Sequence, residues 1–253
     1  MAHKGMQSAP THQEMPVGTI AGRNANDNAA AAKSGIFSVI SSLLSALQNA
    51  ICVGQPYQHW LLREILPMDV CRGITGLPID PADIRDTQGK RETHNSQRHF
   101  FSPNVQKRFQ VCRSVASAFQ GIPVVKSFEA MCGVSLEGSS VRIEYCQDRN
   151  GFWLEPHTDI SVKLLTLQIY LNEGIDAFML GTDVYESKDR LYTSVPGVFN
   201  YGMLFIPGSR TWHGFKKRPI YGVRKSIIIN YVTQEWRARH ELCYPDQPVG
   251  EDA

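Results

Sequence analysis

The chain has 253 residues and a mass of 28.4 kDa, room for one domain with a sizeable core or a core domain with appendages. Hydrophobic residues make up 42% and charged residues 20% of it, as in an ordinary globular protein. A formal net charge of +2 gives no electrostatic ground for nucleic acid or an anionic membrane surface as an obligate partner.

Met1 to Lys33 is rich in Ala, Asn, Gly and Ser and holds no continuous apolar run. It offers too little apolar surface to offset the entropy of ordering, so residues 1–33 read as a disordered tail without the apolar core of a secretory leader. Ile36, Ile40, Leu43, Leu44, Leu47 and Ile51 then recur at helical spacing with serines opposite. This predicts an amphipathic helix packed on the main body. The stretch is interrupted by Ser38, Ser41, Ser42, Ser45, Gln48 and Asn49 and falls short of the roughly 20 apolar residues of a membrane span.

Pro56 to Arg98 offers short apolar stretches and turn signals such as Gly76-Leu77-Pro78. Ser102-Pro103 then supplies a helix start, a capping side chain followed by proline. Val105, Phe109, Val111, Cys112, Val115 and Phe119 continue one helix toward Gly121 and Pro123. A shorter helix from Val124 to Met131 ends at Gly133. From Ser139 the period changes: Val141, Ile143 and Tyr145 alternate with Arg142, Glu144 and Cys146, a strand pattern. Further strands are predicted over Phe152–Ile160, Lys163–Leu171, Ala177–Tyr185, Tyr201–Ile206, Thr211–Phe215 and Val223–Val232, divided by turns such as Asn150-Gly151 and Pro207-Gly208. Short strands at this spacing suggest a sandwich or jelly roll, and helices first with strands later give an α+β chain. The organisation expected is a helical support region over 34–135, a β core over 136–240 and a C-terminal tail over 241–253.

Cys52, Cys71, Cys112, Cys132, Cys146 and Cys243 form no C-x-x-C or C-x-C pair, so no zinc knuckle or redox dithiol is written here. Scattered single cysteines suit a reducing compartment, and the expected location is cytoplasmic.

His157-Thr158-Asp159 lies in the second predicted strand, where residues two apart share a face and can converge on one metal. Alone this is a weak signal: with eight histidines in the chain, about one chance match is expected, and His12-Gln13-Glu14 is another. The weight comes from His213 on a later strand. Two imidazoles and one carboxylate occupy one face of a metal and leave three positions open, which suits Fe(II) with a bidentate co-substrate and O₂ better than zinc. Arg224 and Ser226 follow, two apart on the last strand. A guanidinium aimed into a β pocket matches a carboxylate such as that of 2-oxoglutarate, with Ser226 as a further donor, or else an ordinary salt bridge to a nearby Asp or Glu.

H-x-D, a distal His, and R-x-S eleven residues beyond it together resemble the Fe(II)/2-oxoglutarate-dependent oxygenase superfamily, most strongly from Val141 to Val232. Trp60 to Pro67 is similar to the family's opening segment. The resemblance implies a double-stranded β-helix core, iron on His157, Asp159 and His213, and 2-oxoglutarate on Arg224 and Ser226. It further implies co-substrate contacts from Tyr145, in Tyr-Cys-Gln-Asp-Arg-Asn-Gly, and from Tyr170, which matches the prolyl-hydroxylase-like branch. Thr166 and Gln168 share the strand face of Tyr170 and serve either the pocket or internal hydrogen bonding. Trp153, Arg210 and Trp212 flank the ligand strands, with Lys216, Lys217 and Arg218 beyond them, and a small polar metabolite is the expected substrate. Asp159 argues against the halogenating branch, Asn230 against the R-x5-R of nucleic-acid dealkylases, and Gly181-Thr182-Asp183-Val184 departs from the G-G-E-L of prolyl hydroxylases. Three other readings stay open: a peptidyl hydroxylase, a non-catalytic β-helix that binds a small molecule or partner, and a zinc or cupin-like metalloenzyme.

Overall fold

A computed structural model describes residues 25–81, 86–90 and 98–250, with the backbone alone over 25–32. Helix α1 runs Ala25–Gln48 and so begins well before the apolar stripe. Ala29 to Ala32 have the highest helix propensity and extend it toward the N-terminus. The rest of the expected tail, residues 1–24, lies outside the described residues. The turn-rich region between holds β1 (Ile51–Val53), β2 (His59–Arg63), α2 (Met68–Thr75) and β3 (His99–Phe100). These elements are too short to write a clear period.

The single helix expected after Ser102 is two, α3 (Pro103–Arg108) and α4 (Gln110–Gln120), divided at Phe109, which is extended at φ −129° and ψ 108°. No glycine or proline marks the break. Phe109 packs partly buried against the core, so tertiary packing redirects the chain there. Helix α5 (Ile122–Cys132) stops at Gly133, whose φ of 66° is a left-handed cap that glycine adopts without a Cβ clash.

The strands that follow are β4 (Ser140–Asp148), β5 (Leu154–His157), β6 (Lys163–Tyr170), β7 (Asp183–Ser187), β8 (Arg190–Ser194), β9 (Tyr201–Phe205), β10 (His213–Phe215) and β11 (Arg224–Val232). The strand expected over Ala177–Tyr185 is split: Ala177–Leu180 forms a short 3-10 turn and only its end joins β7. Strand β8 is exposed along its whole length, so it carries no apolar alternation to betray it.

Two antiparallel sheets result, β1-β2-β9-β6-β11-β4-β3 and β5-β10-β7-β8. Ile143, Tyr145, Leu167, Ile169, Ile227, Ile229 and Tyr231 lie on the outer face of the large sheet and pack with Val39, Leu43, Val115, Phe119 and Phe128 of the helices. Each such buried side chain contributes about 1.5–3 kcal/mol. Tyr231 also donates to the Phe119 carbonyl at 2.5 Å, tying α4 to the sheet. Residues of opposite parity on β4, β6 and β11 face the second sheet and include Asp148, Thr166, Gln168, Arg224, Ser226 and Asn230. The fold is α+β, with helices on one side of the large sheet and a polar cavity on the other. No helix among the described residues is long and apolar enough to cross a membrane, and all six cysteines are free thiols.

Candidate metal centre

Antiparallel pairing of β5 with β10 places His213 directly across from His157, and their rings stand 4.4 Å apart between centroids. Gly214 makes this close approach possible: a Cβ there would stand 2.8 Å from the Leu154 carbonyl oxygen. Asp159 follows β5, and one ligand atom from each of His157, Asp159 and His213 lies within 4.8 Å of the others. Each imidazole is tied back to its own strand, His157 Nδ1 to the Glu155 carbonyl at 3.0 Å and His213 Nδ1 to the Thr211 carbonyl at 2.9 Å. A carbonyl only accepts, so Nδ1 carries a proton, and in the neutral imidazole Nε2 then keeps its lone pair for a metal.

The electrostatics suit the same use. Burial, with a smaller push from His157, lowers the His213 pKa to about 4 against the pull of Asp159, which keeps the imidazole neutral as a ligand must be. Burial works to raise the Asp159 pKa, but the Lys163 ammonium, joined at low pH by the imidazoles once they are protonated, outweighs it and holds the carboxyl well below its ordinary range. Both carboxylate oxygens are engaged: Lys163 Nζ donates to Oδ1 at 2.5 Å and Thr166 Oγ1 to Oδ2 at 3.0 Å. Thr166 in turn accepts from Asn230 Nδ2 at 2.9 Å.

The triad opens on a cavity of about 430 Å³. Toward one end lie Gln168, Thr182 and Arg224. Tyr170 is fully buried behind them; its hydroxyl donates to Thr182 Oγ1 at 2.7 Å, which donates to Gln168 Oε1 at 2.7 Å. Ser226 Oγ accepts from Gln168 Nε2 at 3.4 Å and is likewise fully buried. Arg224 is 2% exposed, donates through Nε to the Leu180 carbonyl at 2.7 Å and through Nη1 to Asp148 at 2.5 Å, and lies over the rings of Phe215 and Phe152. The salt bridge and the pocket position thus coexist at one guanidinium. Toward the other end lie Arg98, Arg142, Glu144, Asn230 and Trp236, with Arg142 bound to Glu144 at 3.0 Å and to Glu241 at 2.6 Å.

Other expected contributors are placed elsewhere. Tyr145 belongs to the outer face of β4, within the helix-packed core, and strand parity carries its ring away from the cavity in which a co-substrate contact was expected of it. Trp153 is held beside the mouth by a bond from Nε1 to Asp86 at 2.7 Å. Arg210 is exposed on the loop before β10, and Trp212 directly precedes that strand. None of Trp153, Arg210 and Trp212 lines the cavity. The basic run beyond them is partly neutralised, Lys217 by Asp86 at 2.8 Å and Arg218 by Asp183.

Lys163 and Asp148 were not singled out by sequence reasoning. An i, i+4 pairing of Asp159 with Lys163 signals contact on a helix, not at a strand start. A bulge brings Lys163 inward: Tyr231 pairs with Leu165 but Val232 with Lys163, so Leu164 is the extra residue and joins Leu165 on the core side.

No protein-family model matches the sequence, and no curated protein matches it. Solved structures are similar in part. A prolyl-4-hydroxylase from Pseudomonas putida is 15% identical with a TM-score of 0.49, over 77% of this chain and 92% of that one. A prolyl hydroxylase from Trichoplax adhaerens, in complex with a hypoxia inducible factor oxygen degradation domain peptide fragment, is 10% identical with a TM-score of 0.49, over 85% and 96%. A 2OG-Fe(II) oxygenase family oxidoreductase from Burkholderia pseudomallei is 13% identical with a TM-score of 0.37, over 79% of each chain. The functional assignment rests instead on the side chains of the cavity.

Proposed function

We propose that this protein is an Fe(II)- and 2-oxoglutarate-dependent dioxygenase on a double-stranded β-helix, acting on a C–H bond of a small polar metabolite. The observation that carries the reading is the convergence of His157, Asp159 and His213 within 4.8 Å, with both imidazole Nδ1 atoms tied to carbonyls on their own strands. The winding supports it, because β4, β6, β9 and β11 lie side by side in one sheet and β5, β7, β8 and β10 in the other.

The donor set fits the groups proposed. Two imidazoles and a carboxylate leave open positions of the kind Fe(II) uses with a chelating co-substrate. Asp159 with Lys163 and Arg224 with Asp148 are each neutral pairs, and a dication together with a dianion adds no net charge to them. When bound, Fe(II) with 2-oxoglutarate and O₂ supplies an oxidant for an unactivated C–H bond, with succinate and CO₂ as co-products. The protein's part is to hold and exclude. Arg224, with Nη2 not engaged by Asp148, anchors the distal carboxylate of 2-oxoglutarate; Gln168 and Thr182 line its path, and Phe152 and Phe215 keep water from the guanidinium. The opposite end, floored by Arg142, Glu144 and Asn230, receives the substrate. At about 430 Å³ the cavity sits low in the range for drug-sized ligands and must hold both molecules, which favours a small substrate.

Succinate formation from 2-oxoglutarate in air with added Fe(II) tests the reading. Wild-type protein is expected to form it slowly even without substrate, and Asp159→Ala to form none. Full activity in Asp159→Ala contradicts the triad.

A further inference from the structure

Lys163 donates a charged hydrogen bond to the proposed metal carboxylate. Its Nζ is 2.5 Å from Asp159 Oδ1, and both side chains are largely buried, at 18% and 6% exposure. A buried carboxylate without a counter-ion is costly, so an empty site needs such a partner. The placement is built in, because the Leu164 bulge turns Lys163 onto the cavity face beside Thr166. Thr166 meanwhile holds Oδ2 at 3.0 Å, which fixes the carboxylate plane from its other oxygen.

We propose that Lys163 is an internal counter-ion that stands in for the metal. It holds the Asp159 carboxylate in its orientation through Oδ1, and it competes with an arriving dication for that carboxylate, lowering metal affinity. Lys163 is thus a positioning residue acting through Asp159. The proposal rests on the reading of His157, Asp159 and His213 as ligands. It differs from a purely structural role in sign: a lysine that merely braced Asp159 would support metal binding, so its loss would weaken affinity, whereas loss of a competitor tightens it.

The test is titration of metal-free full-length protein with Co(II) alone, followed by calorimetry and by the visible absorption of the bound ion. Lys163→Met is expected to bind Co(II) about tenfold or more tightly than wild type, since metal binding there also neutralises an otherwise unpaired buried carboxylate. Its unfolding temperature should rise more on adding Co(II) than that of wild type. Lys163→Arg, which keeps the charge, should restore near-wild-type affinity. Should Lys163→Met fail to fold without metal, Lys163→Gln retains a donor to Oδ1 without the charge and is expected to bind more tightly than wild type. Unchanged or weaker Co(II) binding in the neutral variants overturns the proposal, provided wild type binds Co(II) and His157→Ala does not. If wild type itself binds no Co(II), the metal reading falls and this proposal with it.

Discussion

Replacing Arg224 by Met removes three things together: the partner of Asp148 at 2.5 Å, the donor to the Leu180 carbonyl at 2.7 Å, and the proposed anchor for 2-oxoglutarate. Asp148 is 8% exposed, so its carboxylate is left buried without a counter-ion. Breaking a buried pair from one side costs about 3–5 kcal/mol, and Arg224→Met should lose stability of that order in urea unfolding. Adding Asp148→Asn removes the stranded charge and should recover more than half of the loss. Co-substrate binding should not recover, because the distal carboxylate still has no guanidinium. Losing one side of a desolvated charge pair costs about 2–5 kcal/mol, so calorimetric affinity for 2-oxoglutarate in the Mn(II)-loaded protein should fall about thirtyfold or more in both variants. Wild-type affinity in the folded double variant would show that Arg224 serves only its salt bridge with Asp148, and the assignment would be wrong.

Gly214→Ala should push β10 from β5, since its Cβ would meet the Leu154 carbonyl oxygen at 2.8 Å; a loss of about 1–3 kcal/mol is expected, with weakened Co(II) binding from the displaced histidines, and unchanged unfolding and affinity would refute it. Tyr145→Phe should leave 2-oxoglutarate affinity unaltered, because the ring lies in the helix-packed core; a large loss measured by calorimetry would put that side chain back in the cavity. The His213 pKa is lowered from 6.5 to about 4, chiefly by burial, so between those values the unfolded chain takes a proton that the folded residue refuses. Stability of the metal-free protein from this group should therefore be full above about pH 6.5 and fall as pH drops toward 4. Urea midpoints across that window should slope less steeply in His213→Gln, and an identical slope would contradict the cause given.

The helices and most strands of the core were legible because they obey simple periods. The α1 stripe and the alternation in β4 each bury one face, and Gly133 writes its own helix end. His157 and Asp159 were singled out by the same parity argument, although Asp159 lies just past the end of β5, and His213 joins them through the pairing of β10 with β5. What was not legible came from pairing between distant segments. Arg224 meets Asp148 only because β11 runs beside β4 in a particular register. Lys163 reaches Asp159 only through a bulge that no composition signal announces. Tyr145 misled because motif spacing suggested a contact while the parity of β4, readable from Val141 and Ile143, pointed the ring outward to the helices.

The central claim is that the His157, Asp159 and His213 site takes Fe(II) and 2-oxoglutarate together. Adding both to the protein without oxygen, and recording the visible spectrum, tests it before any substrate is known. A weak charge-transfer band that is absent with Fe(II) or 2-oxoglutarate alone, and absent in His157→Ala, is the predicted result. A well-folded wild-type protein that shows no band and binds no Fe(II) would contradict the account and favour a binding protein without turnover.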